Sequence, residues 1–271
     1  MDEISQALAG IQAATERLLA TVARLSDRQA GEPSLLPGWT RGHVLTHIAR
    51  NADGLAHLLR WASTGTEIPM YESQEARDAD IEAGAARGAA ILAADVRDSA
   101  AAFAKEATAV PEHGWTVLVR ALRGDPFPAY GVLARRLSEV EIHHVDLAAG
   151  YRPGDWPQDF VADALPEVAA TFAGRDDAPA CQVVADGTSH ILEIGPAGHT
   201  GTGEAPNTAA GQLATTGRTS DTGPGRAQHA GTMPLVSGPA HDLLAWLLGR
   251  GSGDGLTVHQ AGAVPVMPPW R

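Results

Sequence analysis

Along the first part of the chain, apolar residues return every three or four positions. Ile4, Leu8, Ile11, Leu18, Val22 and Leu25 form one such series, with Thr15 filling its gap, and this is the spacing of a packed helix seam. Pro33 and the run Leu36-Pro37-Gly38-Trp39 interrupt it. Thr40 then stands where an N-cap belongs, and a second helix is predicted to about Trp61. Gly65, Pro69 and Ser73 mark the next break. An alanine-rich, charge-studded stretch over residues 73–109 predicts a third helix, weakened early by Gly84 and Gly88 and closed by Pro111. Residues 115–120 read as a short strand or an extended connection. Pro126 and Pro128 precede a fourth helix over about residues 129–149, stopped by Gly150. Four helices with antiparallel seams predict a four-helix bundle.

The texture changes after Tyr151. The run RPGDWPQD reads as a linker by composition, and a helix is predicted over residues 160–172. Residues 181–185 and 190–194 read as two strands joined through Asp186-Gly187-Thr188, a hairpin signal. Residues 195–231 are mostly Gly, Thr, Ala and Pro, and predict a long mobile insertion. Residues 241–250 are helical in pattern, and residues 256–260 return as a strand. The expected class is α+β: a bundle domain over residues 1–151, then a small α/β domain over residues 152–271.

Charge narrows the partners. A formal net charge of −12 argues against broad contact with nucleic acid or anionic lipid, while a local arginine cluster still permits a small anionic substrate. The opening MDEISQALAG has neither a basic nor an apolar leader region, and no apolar run is long enough to span a bilayer, so a cytoplasmic protein is expected. Cys181 is the single cysteine, which rules out an internal disulfide and fits a reducing compartment.

The chemistry concentrates in RRLSEVEIHHVDLAAGY, residues 135–151. Val132, Arg136, Glu139, His143 and Asp146 step by four, three, four and three, the spacing of an inward-facing seam. Ionisable groups are costly there unless they pair or bind metal. Glu139 and His143 stand one turn apart on one face and supply half of a divalent cation's shell. Glu141 with His144 is a competing pair on another arc, without a further polar partner on its own helix. The second predicted helix offers His43 in its first turn and His47 deeper in. His47, Glu139 and His143 make a two-nitrogen, one-oxygen set that suits zinc and leaves a position open, with Asp146 placed to orient His143. The plain alternative is an Arg136–Glu139 ion pair on a solvated face, with His143 as its neighbour.

Three stretches carry a likeness. LPGWTRGHVLTHIARNADG at residues 36–54, YESQEARDADIEAG at residues 71–84 and RRLSEVEIHHVDLAAGY resemble the mycothiol-dependent maleylpyruvate isomerase family, one of the DinB-like metal-binding bundles. LLAWLLGR and the closing GAVPVMPPWR resemble it more weakly, and residues 195–231 depart from it. The resemblance implies an N-terminal DinB-like bundle with zinc on His47, Glu139 and His143. It also implies mycothiol as thiol cofactor and conversion of maleylpyruvate to fumarylpyruvate. Arg77 matches a family arginine associated with substrate and catalysis, and Arg250 a C-terminal one expected to bind substrate; without the resemblance, Arg77 reads as a surface partner of Glu75, Asp78 or Asp80. The same metal set would also serve a mycothiol S-transferase acting on an electrophile, a thiol-independent zinc hydrolase, or a non-catalytic metal-stabilised protein. Cys181, in a strand-like run with no basic neighbour, reads as structural rather than as the nucleophile.

Overall fold

In the computed structural model, residues 3–196, 233–259 and 262–270 are described. The chain divides into two compact units, Met1–Ala164 with Arg250–Ser252, and Leu165–Gly249 with Gly253–Arg271. The α+β class holds: helices dominate the first unit, and a small sheet belongs to the second. No helix among the described residues is long and apolar enough to cross a membrane.

The first unit contains α1 (Glu3–Val22), the short α2 (Asp27–Ala30), α3 (Arg41–Thr64), α4 (Gln74–Ala85), α5 (Ala89–Ala109) and α6 (Gly131–Asp146). The bundle is formed by α1, α3, α5 and α6, with α3 packed on α5 and α6, α1 on α6 and α5, and α4 laid along α3. Its core runs as two apolar clusters, one through Leu55, Leu59, Phe103 and Leu133, the other through Leu18, Leu45, Ile48, Leu92 and Val140. Thr40 caps α3 as its position predicts: its Oγ1 accepts from the His43 backbone N–H, while the His43 ring Nδ1 accepts from the Thr40 N–H at 3.1 Å.

The predicted third helix is two helices. The break falls at Gly88, the N-cap of α5, which is extended at φ −64°, ψ 155°. The Asp27 carboxylate of α2 accepts from the Ala89 N–H at 2.7 Å, filling the place of a capping side chain that Gly88 lacks. A β-carbon on Gly88 would lie 2.9 Å from that carboxylate, so a side chain there would displace the Asp27 cap. The run 115–120 splits into a 3₁₀ turn ending at Thr116 and the strand β1 (Leu118–Val119), which pairs antiparallel with β2 (Phe127–Pro128). The supposed linker is packed structure: Trp156 is buried and its Nε1 donates to the Glu141 carbonyl at 3.1 Å.

The second unit begins within α7 (Gln158–Ala170), then carries β3 (Cys181–Ala185), β4 (Ile191–Ile194), β5 (Leu235–Gly238), α8 (Ala240–Leu247) and β6 (Thr257–His259). The sheet order is β4-β3-β5-β6, antiparallel except for β3 with β5. The hairpin closes through Gly187 at φ 76°, with the Thr188 N–H donating to the Ala185 carbonyl at 3.1 Å. Alternation along β3 buries Cys181, Val183 and Ala185. Pattern reading missed β5, a four-residue run bounded by Pro234 and Pro239 whose first ladder is parallel and long-range. Nearly all of the predicted insertion, and Gln260 of the last predicted strand, lie outside the described residues.

Candidate metal centre

The start of α3 is tied to the end of α6. Arg41 Nε donates to the Leu147 carbonyl at 2.6 Å and its Nη2 to the Ala148 carbonyl at 3.3 Å, capping carbonyls that α6 leaves without helical partners. Just upstream, the Leu35 N–H donates to the Asp146 carbonyl at 2.9 Å. Deeper in, Arg136 of α6 is fully buried and donates through Nη1 to the Ile48 carbonyl at 2.8 Å and to Asn51 Oδ1 at 3.1 Å. Its Nε and Nη2 find no partner in the structure, and burial depresses its pKa to about 10. These clamps set the register in which the second turn of α3 faces the last two turns of α6.

That register brings His47, Glu139 and His143 together. His47 Nε2 lies 3.0 Å from Glu139 Oε2 and 3.0 Å from His143 Nε2, and His143 Nε2 lies 3.2 Å from Glu139 Oε2. His47 is buried, whereas Glu139 and His143 are partly exposed, so the triad opens on one side. Ligand atoms of a tetrahedral zinc with bonds of about 2.0–2.2 Å sit about 3.3–3.6 Å apart, only a few tenths more than here. Two imidazole nitrogens 3.0 Å apart repel unless a proton or a cation lies between them. Three such atoms, among the described residues, form the only His, Cys, Asp and Glu group that gathers within reach of one metal ion. The donor set fits a zinc-type cation and leaves coordination positions vacant.

The two histidines differ in support. Burial works against charge on His143, but hydrogen bonds to Asp146 and Glu139 outweigh it and push its pKa up to about 9. His47 is lowered, because burial prevails over its bond to Glu139. Burial would raise Glu139, yet both histidines donate to it and hold its carboxyl well below the usual range. Behind His143, Asp146 is fully buried and its Oδ2 accepts from Nδ1 at 2.8 Å. Arg250 grips the same carboxylate through Nε at 3.0 Å and Nη2 at 2.9 Å. Behind His47, Arg77 of α4 places Nη2 3.0 Å from Nδ1.

Arg77 also bonds Asp78, as its surface reading predicted, and sits 5.9 Å from the Tyr71 ring centroid. With Tyr71, Arg50, Asp53 and His57 it lines a cavity of about 420 Å³. A larger hollow of about 810 Å³, lined by Ile4, Leu8, Val110 and Trp115 among others, contains none of the candidate residues. His43 is not drawn into the triad; its ring serves the α3 cap and Glu82. Arg136 and Glu139 form no direct ion pair in the structure, because the Arg136 donors point to α3. The competing pair is engaged elsewhere. Glu141 takes Arg17 Nη2 at 2.5 Å and Tyr151 Oη at 2.6 Å, and His144 stacks on Tyr151 at 3.8 Å. Two neighbours went unread in the sequence: Trp39, edge-on to His47 at 5.6 Å, and Tyr71. Their only sequence signal is being aromatic beside a helix start.

A helical bundle presenting two imidazoles and a carboxylate at one open point defines the class: an α+β scaffold with a donor set that fits a cation. The profile of the mycothiol maleylpyruvate isomerase N-terminal domain matches residues 11–148, and the chain belongs to that family. The crystal structure of a mycothiol-dependent maleylpyruvate isomerase is similar with TM-score 0.81 and 28% identity, over 99% of this chain and 98% of that one. A variant of such an enzyme with one histidine replaced by alanine is similar to the same degree, at 27% identity, TM-score 0.81 and the same coverage. Among curated proteins, none matches the chain.

Proposed function

We propose that this chain is a zinc- and mycothiol-dependent cis–trans isomerase that converts maleylpyruvate to fumarylpyruvate. What carries the proposal is the meeting of His47 Nε2, Glu139 Oε2 and His143 Nε2 within 3.2 Å. It occurs in a chain 28% identical, over nearly its whole length, to an enzyme of that activity. Rotation about a carbon–carbon double bond is prohibitively slow unless the bond is made temporarily single. Zinc held by His47, Glu139 and His143, with the thiol cofactor, would supply the thiolate whose reversible addition to the conjugated system does this.

The remaining work falls to the chain's own residues. Asp146 accepts the Nδ1 proton of His143 and so keeps the Nε2 lone pair facing the cation site. Arg250, engaged on Asp146 by two bonds, acts on the site through that carboxylate. Arg77, which touches His47 and lines a neighbouring cavity, has the planar donor fork to bind a carboxylate of the dianionic substrate. Cys181 supplies no nucleophile, since burial pushes its thiol up to about 11.

The test is a metal determination followed by turnover of maleylpyruvate with and without mycothiol. The expected result is stoichiometric zinc, fumarylpyruvate formed only when mycothiol is present, and the thiol recovered free. A stable thiol conjugate assigns an S-transferase instead, turnover without thiol assigns a hydrolase, and a zinc-loaded protein inert with mycothiol refutes the proposal.

A further inference from the structure

Within the bundle unit, the cavity of about 420 Å³ lies against α3, residues 70–72, α4 and α5. Arg77 lines it and also places Nη2 3.0 Å from His47 Nδ1. Arg50, Gly54 and His57 line it too, and from His47 they step by three, four and three along one face of α3. At about 1.5 Å of rise per residue, that stripe runs roughly 15 Å from His47 to His57. Gly54 makes room on it, since a β-carbon there would lie 2.9 Å from both Met70 Cγ and Tyr71 Cε1. The lining thus extends away from the candidate metal centre along α3. Its wall is charged but paired. Arg50 bonds Asp53 at 2.9 Å and Asp95 at 2.8 Å, and Arg60 bonds Glu106 at 2.6 Å. Glu72 and Asp80 are exposed and form no ion pair among the described residues. Guanidinium N–H groups and carboxylate oxygens therefore stand side by side with little net charge to select a small ion. A hydroxyl donates to one and accepts from the other at once, so a ligand rich in hydroxyls answers such a wall best. Tyr71, Ala76 and Ala102 add apolar surface for the C–H faces of a ring.

The geometry points to a carbohydrate subsite: this cavity takes a polyhydroxylated ring ligand, the sugar–cyclitol body on which mycothiol carries its thiol. The inference rests on the thiol-dependent reading above and gives that cofactor a binding surface. Asp53, Glu72 and Asp80 accept from ring hydroxyls, and Arg50 and Arg60 donate to them. Arg77 stands where the cavity meets His47, so the sulfur end of the ligand lies toward His47 and its rings toward His57.

Calorimetry on the full chain tests it with a thiol-free probe, glucosaminyl-inositol. Wild type should bind the probe, and the probe should compete with mycothiol in turnover of maleylpyruvate. Ala102 is exposed on α5 and lines the cavity, so Ala102→Trp plugs the space without entering the core. That variant should weaken probe binding about tenfold or more, and Asp80→Asn, which loses one acceptor, about two- to twelvefold. Both should keep wild-type zinc affinity in competition against a chromophoric chelator, which separates this cavity from the metal centre. A wild-type chain that does not bind the probe, or folded variants that bind it as wild type does, overturns the subsite; turnover with mycothiol would then still leave the isomerase reading standing. Probe binding that Ala102→Trp abolishes, in a chain inert with mycothiol, supports the carbohydrate site and refutes the isomerase reading instead.

Discussion

Asp146 offers a severe test of how the centre is built. Its two oxygens receive three N–H groups: Arg250 Nε at 3.0 Å on Oδ1, and Arg250 Nη2 at 2.9 Å with His143 Nδ1 at 2.8 Å on Oδ2. Asp146→Asn keeps the shape but replaces one acceptor with an NH₂ donor. Whichever way the amide turns, at least one of the three donors meets another donor in a fully buried site. If that donor is His143 Nδ1, the ring loses its orientation and the basicity that the carboxylate lends to Nε2. Loss of such outer support costs about 10- to 100-fold in metal affinity, or about 1.4–2.7 kcal/mol. The buried charged hydrogen bonds are worth a further ~1.5–3 kcal/mol of fold stability, loosened here because Arg250 keeps some contact with water. Zinc affinity by chelator competition and urea unfolding of the metal-free protein separate the two effects. A folded Asp146→Asn that binds zinc within twofold of wild type would show that the 2.8 Å contact does not tune His143, and the account of the centre would fail.

Four other outcomes follow from the same structure. A β-carbon on Gly42 of α3 would lie 2.0 Å from the Ala85 carbonyl oxygen, so Gly42→Ala should push α4 away from α3 and cost about 1–3 kcal/mol by urea unfolding. Gly10→Ala, which meets nothing within 4 Å in α1, should instead add about 0.5–1 kcal/mol. Glu141→Gln should leave zinc affinity unchanged while costing about 1.5–3 kcal/mol of stability, because Glu141 serves Arg17 and Tyr151 and not the cation; weakened zinc binding would reinstate the competing pair. Burial raises the Cys181 thiol from an ordinary 9.0 to about 11, so between those pH values the unfolded chain loses a proton that the native one keeps. Stability should therefore fall by up to about 3 kcal/mol as pH rises through that window. Cys181→Ala should shrink the gap between urea midpoints measured at pH 8 and pH 10.5, and should retain activity.

Local pattern was sufficient wherever a contact closes within a turn or two. The step of four from Glu139 to His143 and of three to Asp146 places those side chains on one helix face whatever surrounds them, and both contacts are made, at 3.2 and 2.8 Å. The caps obey the same logic: Thr40 starts α3, and Gly65 ends it at φ 69°. The Gly88 weakness was legible too, but its consequence was not. Whether a glycine bends a helix or ends it depended on Asp27, 62 positions away, reaching the freed N–H of Ala89.

Tertiary structure alone decided the partners. His47 is 92 positions from Glu139, and nothing in either helix states that they meet; the Arg41 and Arg136 bonds between α3 and α6 set that register. Glu141 looked partnerless because Arg17 comes from α1, 124 positions away. Arg250 reaches Asp146 over 104 positions. The strand β5 was hidden for the same reason, since a four-residue run becomes a strand only when β3 supplies a parallel edge for it to pair with. Periodicity reports which face of an element is buried, because backbone geometry sets that locally. It is silent on what the face meets, because that depends on how the whole chain closes on itself.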